Sequence, residues 1–496
     1  MSELLDKARE YEAAREKQIL PQDRPAFHLS PRAGWMNDPN GFCFYNGKYH
    51  LFYQYHPYRT VWDLMYWGHA VSTDLLHWDY LPAALAPDMP YDCAGCFSGS
   101  ALTLPDGRHA LYYTGVQKEL CPDGIERDVQ TQNIAVGDGI NYTKYEGNPV
   151  LTDADLPDGG SRVDFRDPKA WQEADGTYRM LAANKNSFDG SQLLLFKSID
   201  GFDWKFESVF DSNRDRIGKM WECPDFFSLD GKYILLSSAQ DMLPQGLEYH
   251  NGNGNFYITG TFDEKTGQFR EEGNHAIDCG IDFYAAQTVV TPDGRRVMIG
   301  WLQNWDTCSG YKPPVPWFGQ MTVPRELSLR SDGILIQNPV REIENLRNNR
   351  VAYDDVVVDN TETALPGVEG RCVDLTVEIE VADPQDLYRK FAVRFAKNEK
   401  YHTDVSFRPA ESVLKIDRKF AGSRRAIVHQ RRAEVSHENG RIKLRLILDR
   451  FSAEIFVNDG EKVMTAAVFT EQEAREITFL AEGKAKIRVV KYDLDH

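Results

Sequence analysis

Five times in its first three hundred residues the chain turns on a glycine and runs straight into an aromatic or β-branched stretch. The copies are NGKYHLFYQ around Gly47, DGRHALYYTG around Gly107, DGTYRMLAA around Gly176, DGKYILLSS around Gly231 and DGRRVMIGW around Gly294. Asn-Gly and Asp-Gly in this setting signal tight hairpins, because both turn residues of such a hairpin need positive φ. Successive glycines are 60, 69, 55 and 63 residues apart. A second piece, STDLLHW at 72–78 and SIDGFDW at 198–204, recurs downstream of two of the hairpins. A β-unit returning about every 60 residues has the size of a four-stranded blade, so five copies predict an all-β chain built on a five-bladed β-propeller.

The repeat stops near residue 335. NPVREIENLR, at 338–347, reads as a short helical connector. Beyond it, runs such as RCVDLTVEIEV, RIKLRLILD and SAEIFVNDG alternate with period 2, which predicts a β-sandwich. At the other end, MSELLDKAREYEAAREKQIL is charged throughout, has no apolar secretory core, and reads as an amphipathic helix. The predicted organisation is a helical segment over 1–23, a five-bladed propeller over 24–336, a helical linker over 337–350 and a sandwich over 351–496.

Charge narrows the partners. With 57 basic and 75 acidic residues the net charge is −18, which disfavours nucleic acid and anionic lipid. No apolar run approaches the about 18 residues of a membrane span. Eight cysteines at irregular spacing, with no secretory segment, are expected to be free thiols in the cytoplasm. Cys93 and Cys96 form a lone C-x-x-C without further ligands at zinc spacing, so they too read as structural thiols.

Aligning the repeats on the turn glycine and stepping back nine residues gives Asp38, Ser98, Asp167, Glu222 and Ala285. The first strand of each blade lines the propeller axis. Three acids at one height of that strand should therefore converge, although they are far apart in sequence. Each lies among aromatics and proline, in WMNDPNG, FRDPK and MWECPDF, which is a poor setting for a surface charge. Convergent buried carboxylates are costly, and they are what glycoside cleavage requires: one protonated for the leaving oxygen, one ionised for the sugar. Sugar faces pack on aromatic rings, and Trp35, Trp62, Trp67, Phe97, Trp221, Tyr284, Trp301 and Trp305 lie near these strands. No EF-hand or HExxH pattern accompanies the acids, so neither a metal nor another cofactor is expected. The expected partner is a small carbohydrate.

These motifs resemble glycoside hydrolase family 32, the invertases, inulinases, levanases and sucrose-6-phosphate hydrolases. WMNDPNG at 35–41, HLFYQYHP at 50–57, WGHAVSTDLLHW at 67–78, CFSGSA at 96–101, FRDPK at 165–169, MWECPDFF at 220–227 and DFYAAQ at 282–287 carry the resemblance. LDRFSAEIFVNDG at 448–460 is similar to the family's sandwich motif. The resemblance implies a propeller plus sandwich and retaining hydrolysis of terminal β-D-fructofuranosides such as sucrose. It implies Asp38 as nucleophile, Glu222 as acid/base and Asp167 as transition-state stabiliser, with Arg166 beside it. Asn37, Gln54, Trp62, Phe97 and Ser98 match positions that cradle the fructose ring. Tyr284 and Trp301 join them as candidate substrate contacts.

The chain departs from the family pattern at Asp63, where Gly is usual, and at Tyr66, where His is usual. Both are expected at the pocket rim, narrowing it toward small leaving groups, with free sucrose and short β-fructosides preferred and long inulin a poor substrate. Lys118, Lys185, Arg214, Arg216 and Lys219 are the loop cations that could meet a leaving-group phosphate. Sucrose 6-phosphate is expected to be accepted too, and a dedicated sucrose-6-phosphate hydrolase, fructosyl transfer, an inverting arabinan- or xylan-cleaving propeller, and a catalytically inactive glycan-binding propeller stand as alternatives. A sandwich beside a propeller also leaves edges on which a homodimer could form.

Overall fold

The computed structural model describes residues 2–120, 124–308, 315–422 and 428–495, so Cys121 lies outside the described residues. Four sheets of four strands and one of five make the propeller. Their innermost strands are Gly34–Tyr45, Gly95–Thr103, Gly160–Gln172, Met220–Leu229 and Tyr284–Val290, opening blades I to V in that order. Each inner strand touches the next, and that of blade V returns to that of blade I, so the ring is closed. The closure is sealed by chain that leaves blade V: Trp317–Phe318 pairs in parallel with Gly34 and Trp35. At Gly319, φ is +87°, and a Cβ would meet the Met36 carbonyl oxygen at 2.0 Å, so only glycine lets the strap pass.

The repeated hairpins join the first and second strand of each blade, but they are not all alike. In blades I and IV, Tyr45 pairs with Lys48 and Leu229 with Lys232. Asn46-Gly47 and Asp230-Gly231 are thus two-residue loops with both φ values positive. In blades II, III and V pairing stops at Thr103/His109, Gln172/Tyr178 and Val290/Arg296, and of each Asp-Gly pair only Gly107, Gly176 and Gly294 turn left-handed. The tight turn expected of all five is present in two, because a longer loop concentrates the positive φ on a single residue. The second repeat has one geometry in both copies. Ser72 and Ser198 accept from the backbone N–H three residues on, and Leu75, at φ 70°, takes the left-handed place that Gly201 fills at φ 80°.

Pairing register also refines where the acids stand. Every inner strand slips by one residue against its neighbour at the same height: between Met36 and Pro39, Phe97 and Gly99, Arg166 and Lys169, Glu222 and Asp225, and Tyr284 and Gln287. Such bulges kink a strand and re-aim its side chains. Asp167, Cys223 and Ala285, first residues of three of these bulges, have φ of 62°, 50° and 54°. The acids therefore share one bulge rather than one register position. Glu222 stands just before it, in line with Arg166 and Tyr284; Asp167 opens it; Asp38 is its second residue.

A 3₁₀ helix, Arg341–Leu346, leads from blade V into two six-stranded sheets that form the sandwich. The N-terminal helix, Glu3–Glu16, packs on the outer strand of blade I, where buried Glu12 accepts from Ala83 N–H at 2.9 Å and meets Arg32 at 3.2 Å. No helix among the described residues is long and apolar enough to cross a membrane.

Propeller and sandwich are joined by buried ion pairs rather than by apolar contact alone. His28 places Nδ1 at 2.8 Å from Asp449 and Nε2 at 2.9 Å from Glu454. Arg325 reaches Glu454 at 2.6 Å and Asp278 at 3.1 Å, and Thr465 donates to Asp278. Arg418 of the sandwich pairs with Asp282 of blade V at 2.6 Å. The sandwich motif LDRFSAEIFVNDG thus supplies Asp449 and Glu454 to the seam.

Candidate active site

The bulges bring Asp38, Asp167 and Glu222 together, buried, around the thiol of Cys223. The Cys223 Sγ lies 3.4 Å from Asp38 Oδ2 and 3.6 Å from Asp167 Oδ2, and its N–H donates to Asp167 Oδ2 at 2.8 Å. The left-handed turn at Cys223 is what lets side chain and amide serve two blades at once.

Each acid has a different environment. Asp38 Oδ2 accepts from the Ser98 hydroxyl at 2.7 Å, while its buried Oδ1 has no hydrogen-bond partner among the described residues. Burial, and then the charge of Glu222, raise the Asp38 pKa above the ordinary carboxylate range, against the pull of the Ser98 hydrogen bond. Glu222 is fully engaged: Oε1 accepts from Arg166 at 3.0 Å and Gln240 at 2.8 Å, and Oε2 from the Tyr284 hydroxyl at 2.8 Å. Asp167 is pushed up to about 7, first by burial, then by Glu222 and Asp38, with Arg166 opposing.

Asp167 is fixed through its backbone. Its N–H donates to Thr114 Oγ1 at 2.9 Å, and Thr114 donates to Gln132, whose amide donates to the Phe165 carbonyl at 2.7 Å. Gln130 accepts from both Phe165 N–H and Arg166 Nε. Arg166 is further tied to Asp164 at 2.6 Å.

The raised pKa of Asp167 makes a stability statement. An Asp at its ordinary 3.8 in the unfolded chain and about 7 in the fold adds stability below about pH 4, lost as pH rises to about 7. Asp167→Asn keeps the acceptor for Cys223 and cannot ionise. The variant is expected to melt above wild type at pH 8, with the margin shrinking toward pH 4. A margin that is flat with pH, measured by calorimetry at several pH values, would refute the assignment. The same chain with only its transition-state binding impaired would unfold like wild type, so the pH dependence is the distinguishing result.

Around the acids, Trp35, Met65, Tyr284, Ala285, Trp301 and Phe318 form an apolar wall with Cys223, backed by Phe97 and Trp305. Trp35 donates to Asn37 Oδ1 at 2.8 Å and stacks on Phe318 at 4.5 Å. Gln54 donates to the Cys96 carbonyl at 2.9 Å. Trp301 is buried, with Nε1 unpartnered among the described residues. Trp62 is 48% exposed and meets the Phe97 ring edge-on at 6.1 Å. Trp67 and Trp221 are core residues instead, donating to the Phe97 and Ile217 carbonyls.

One expectation changes. Tyr66 is not at the rim: it is buried among Tyr55, Tyr58 and Leu64 on the helix side of blade I, so only Asp63, paired with Arg59, is exposed enough to shape the approach. The candidate phosphate donors are surface charges already engaged or pointing to solvent. Lys118 pairs with Glu126 and Asp128, Arg216 with Glu271, and Lys219 with Asp215, while Lys185 and Arg214 are exposed. Cys223, Gln240, Gln130, Gln132 and Thr114 are site residues that the motifs had not singled out. Only Cys223 left a trace, inside MWECPDF; the others sit on second and third strands, whose alternation reads as core.

Known proteins are similar to this chain along its length. Residues 28–339 match the glycosyl hydrolases family 32 N-terminal domain, and residues 342–495 the family 32 C-terminal domain. A raffinose invertase of Escherichia coli is 35% identical over 481 residues, 93% of each chain. A levanase of Bacillus subtilis is 33% identical over 491 residues, 94% of this chain and 69% of that one. The solved β-fructofuranosidase of Bombyx mori superposes with a TM-score of 0.83 at 33% identity, covering 99% of this chain and 98% of that one. The chain is a glycoside hydrolase and belongs to glycosyl hydrolase family 32.

Proposed function

We propose that the protein is a retaining β-fructofuranosidase acting on sucrose and short β-fructosides, with sucrose 6-phosphate also accepted. The observation that carries this reading is the contrast between two buried carboxylates in one ring of bulges. Asp38 offers an oxygen with no hydrogen-bond partner among the described residues, and Ser98 holds the carboxylate in place through its other oxygen. That is the geometry of a nucleophile. Glu222 has both oxygens held by groups from three blades, which suits a residue that gives up and regains a proton without moving.

In the first step Asp38 Oδ1 attacks the anomeric C2 of the fructosyl unit while Glu222 protonates the glycosidic oxygen, and the leaving sugar departs. The Tyr284 hydroxyl can donate or accept, so it holds Oε2 in either protonation state. In the second step Glu222 takes a proton from water, which attacks C2 and releases fructose from Asp38. Positive charge develops on the ring between the two, where ionised carboxylates stabilise it without reorganising. Asp167, fixed by Thr114 and Cys223, would hold fructose hydroxyls in that state.

The test is product analysis on sucrose, kestose and inulin, with the first-formed fructose anomer read by NMR. β-Fructofuranose is expected first, with inulin the slowest substrate. Inversion would exclude the double displacement, and no fructose from any of the three would exclude the activity.

A further inference from the structure

Away from the acids, a cavity of about 880 Å³ opens on the seam between propeller and sandwich. One side is the segment that leads into blade I, at Pro21, Arg24 and Ala26; the other is sandwich, with Arg371, Arg450 and Arg475 among its residues. Ala26 N–H donates to Asp449 at 2.8 Å, and the Cys372 thiol donates to the same carboxylate at 3.5 Å. The cavity therefore backs onto the pair of Asp449 with His28 that joins the two domains.

Four arginines line this cavity, and none forms an ion pair among the described residues. Arg24 turns its guanidinium away, to Ser30, Pro31 and Tyr80. Arg371 is buried and donates only to backbone carbonyls, that of Arg450 at 2.5 Å and those of Val468, Glu471 and Ala474 at 3.4 Å each. Arg450 uses Nη1 on the Pro21 and Arg24 carbonyls, at 2.8 and 2.9 Å, and leaves Nε and Nη2 without an acceptor among the described residues. The Arg475 side chain is exposed and bonds to none of the described residues. Two acids share the lining. Asp493 is taken by Lys491 and by the Asn349 amide at 3.1 Å, and Asp495 is exposed. Carbonyl oxygens satisfy the N–H groups of a guanidinium without cancelling its charge. Burial pulls the Arg371 pKa down to about 10. In a chain of net charge −18, this surplus of uncompensated arginine is costly unless an anion reaches it.

We propose that the cavity is a binding site for a phosphate-type dianion, free or carried on a small metabolite, with Arg450 and Arg475 as its donors and Arg371 adding buried charge beside them. A guanidinium offers two parallel N–H groups to two phosphate oxygens, which an ammonium cannot. A neutral sugar would give none of the three a counter-charge. The site is separate from the chemistry, since none of the three acids or their hydrogen-bond partners lines it. Its effect falls on the seam. Arg450 belongs to the sandwich and grips the segment that enters blade I, so an anion that fixes Arg450 fixes that joint. A ligand held by the fold and not by the unfolded chain stabilises by mass action.

The test is isothermal titration calorimetry with inorganic phosphate at constant ionic strength, read beside Tm in the same buffer. Wild type should bind about one phosphate per chain, saturating in the millimolar range or below, with Tm rising along the same curve. In Arg475→Gln the affinity should fall at least tenfold, while Tm without phosphate and kcat/KM on sucrose stay at wild type. Arg450→Lys can still reach the Pro21 carbonyl, and it should lose a similar factor because it no longer offers two parallel donors. Arg389→Gln, at an exposed arginine outside the cavity, should bind like wild type. Glycerol 1-phosphate separates the two sources: tenfold tighter binding than inorganic phosphate assigns the site to a phosphorylated metabolite, and equal or weaker binding assigns it to the free ion. No saturable binding to wild type up to about 50 mM, or unchanged affinity in either arginine variant, would overturn the proposal. A Tm that climbs without saturation, and equally in every variant, would show general salt stabilisation and overturn it as well.

Discussion

Asp38→Asn and Glu222→Gln will each lower kcat on sucrose by on the order of 10⁴, about 5.5 kcal/mol of barrier at 1.36 kcal/mol per tenfold. Asn keeps the volume of Asp38 and can still accept from Ser98, but its amide cannot attack C2. Gln keeps the contact to Arg166 through its oxygen and can donate to the Tyr284 hydroxyl through its amide, but it has no acidic proton to give. The two losses differ in kind. A fructosyl donor whose leaving group needs no protonation, such as the fluoride, will form the covalent intermediate in Glu222→Gln. Azide, which needs no general base, will then release it. Neither reagent will help Asp38→Asn, because no intermediate forms. Both variants should retain the wild-type circular dichroism spectrum. Wild-type turnover in either, or azide rescue of Asp38→Asn, would reverse the assigned roles.

Much of this site was legible because a propeller turns distance in sequence into proximity by rotation. Once five turns were counted, stepping back a constant number of residues reached all three acids. The bulge was not legible. A one-residue slip in pairing leaves no compositional mark, so Glu222, Asp167 and Asp38 looked like one position when they are three successive ones. The same holds for Thr114, Gln130 and Gln132: on a strand between two others, a polar residue that grips a neighbouring backbone alternates just as a core residue does. Tyr66 shows the opposite failure. A departure inside a recognisable motif suggests a change at the rim, yet the strand turns that side chain away from the site into the packing of blade I.

Glu454→Ala will destabilise the protein by about 3–5 kcal/mol, the usual cost of breaking a buried ion pair from one side. It takes from fully buried Arg325 its 2.6 Å partner, leaving Asp278 at 3.1 Å to balance the charge, and leaves His28 with Asp449 alone. Urea unfolding, followed by tryptophan fluorescence, gives the measurement; a loss below about 1 kcal/mol would show that the seam is held by apolar packing instead. The network also has a pH signature. Burial alone would lower the His28 pKa, but Asp449 and Glu454 outweigh it and raise it to about 9. A group raised in the fold contributes stability that is complete below its unfolded pKa of about 6.5 and lost as pH rises through about 9. Wild type should therefore weaken between pH 7 and 9. The His28→Gln variant, less stable at pH 6, should lose little more over that range.

The strap of Trp317 and Phe318 on the strand of Asp38 sets an order of events during synthesis. The strand of Asp38 leaves the ribosome early, but the neighbour on its axial edge arrives roughly 280 residues later, about 14–57 s at 5–20 residues per second. Until then the strand of Asp38 has an open edge and the first blade has no fifth neighbour. Glu454, which anchors Arg325 and His28, is made later still. A nascent chain of this kind carries all three acids long before it can bring them together, so the unfinished protein is both inactive and exposed at a strand edge. Interruption of translation anywhere before the sandwich motif leaves a fragment for chaperones or proteases rather than a slower enzyme.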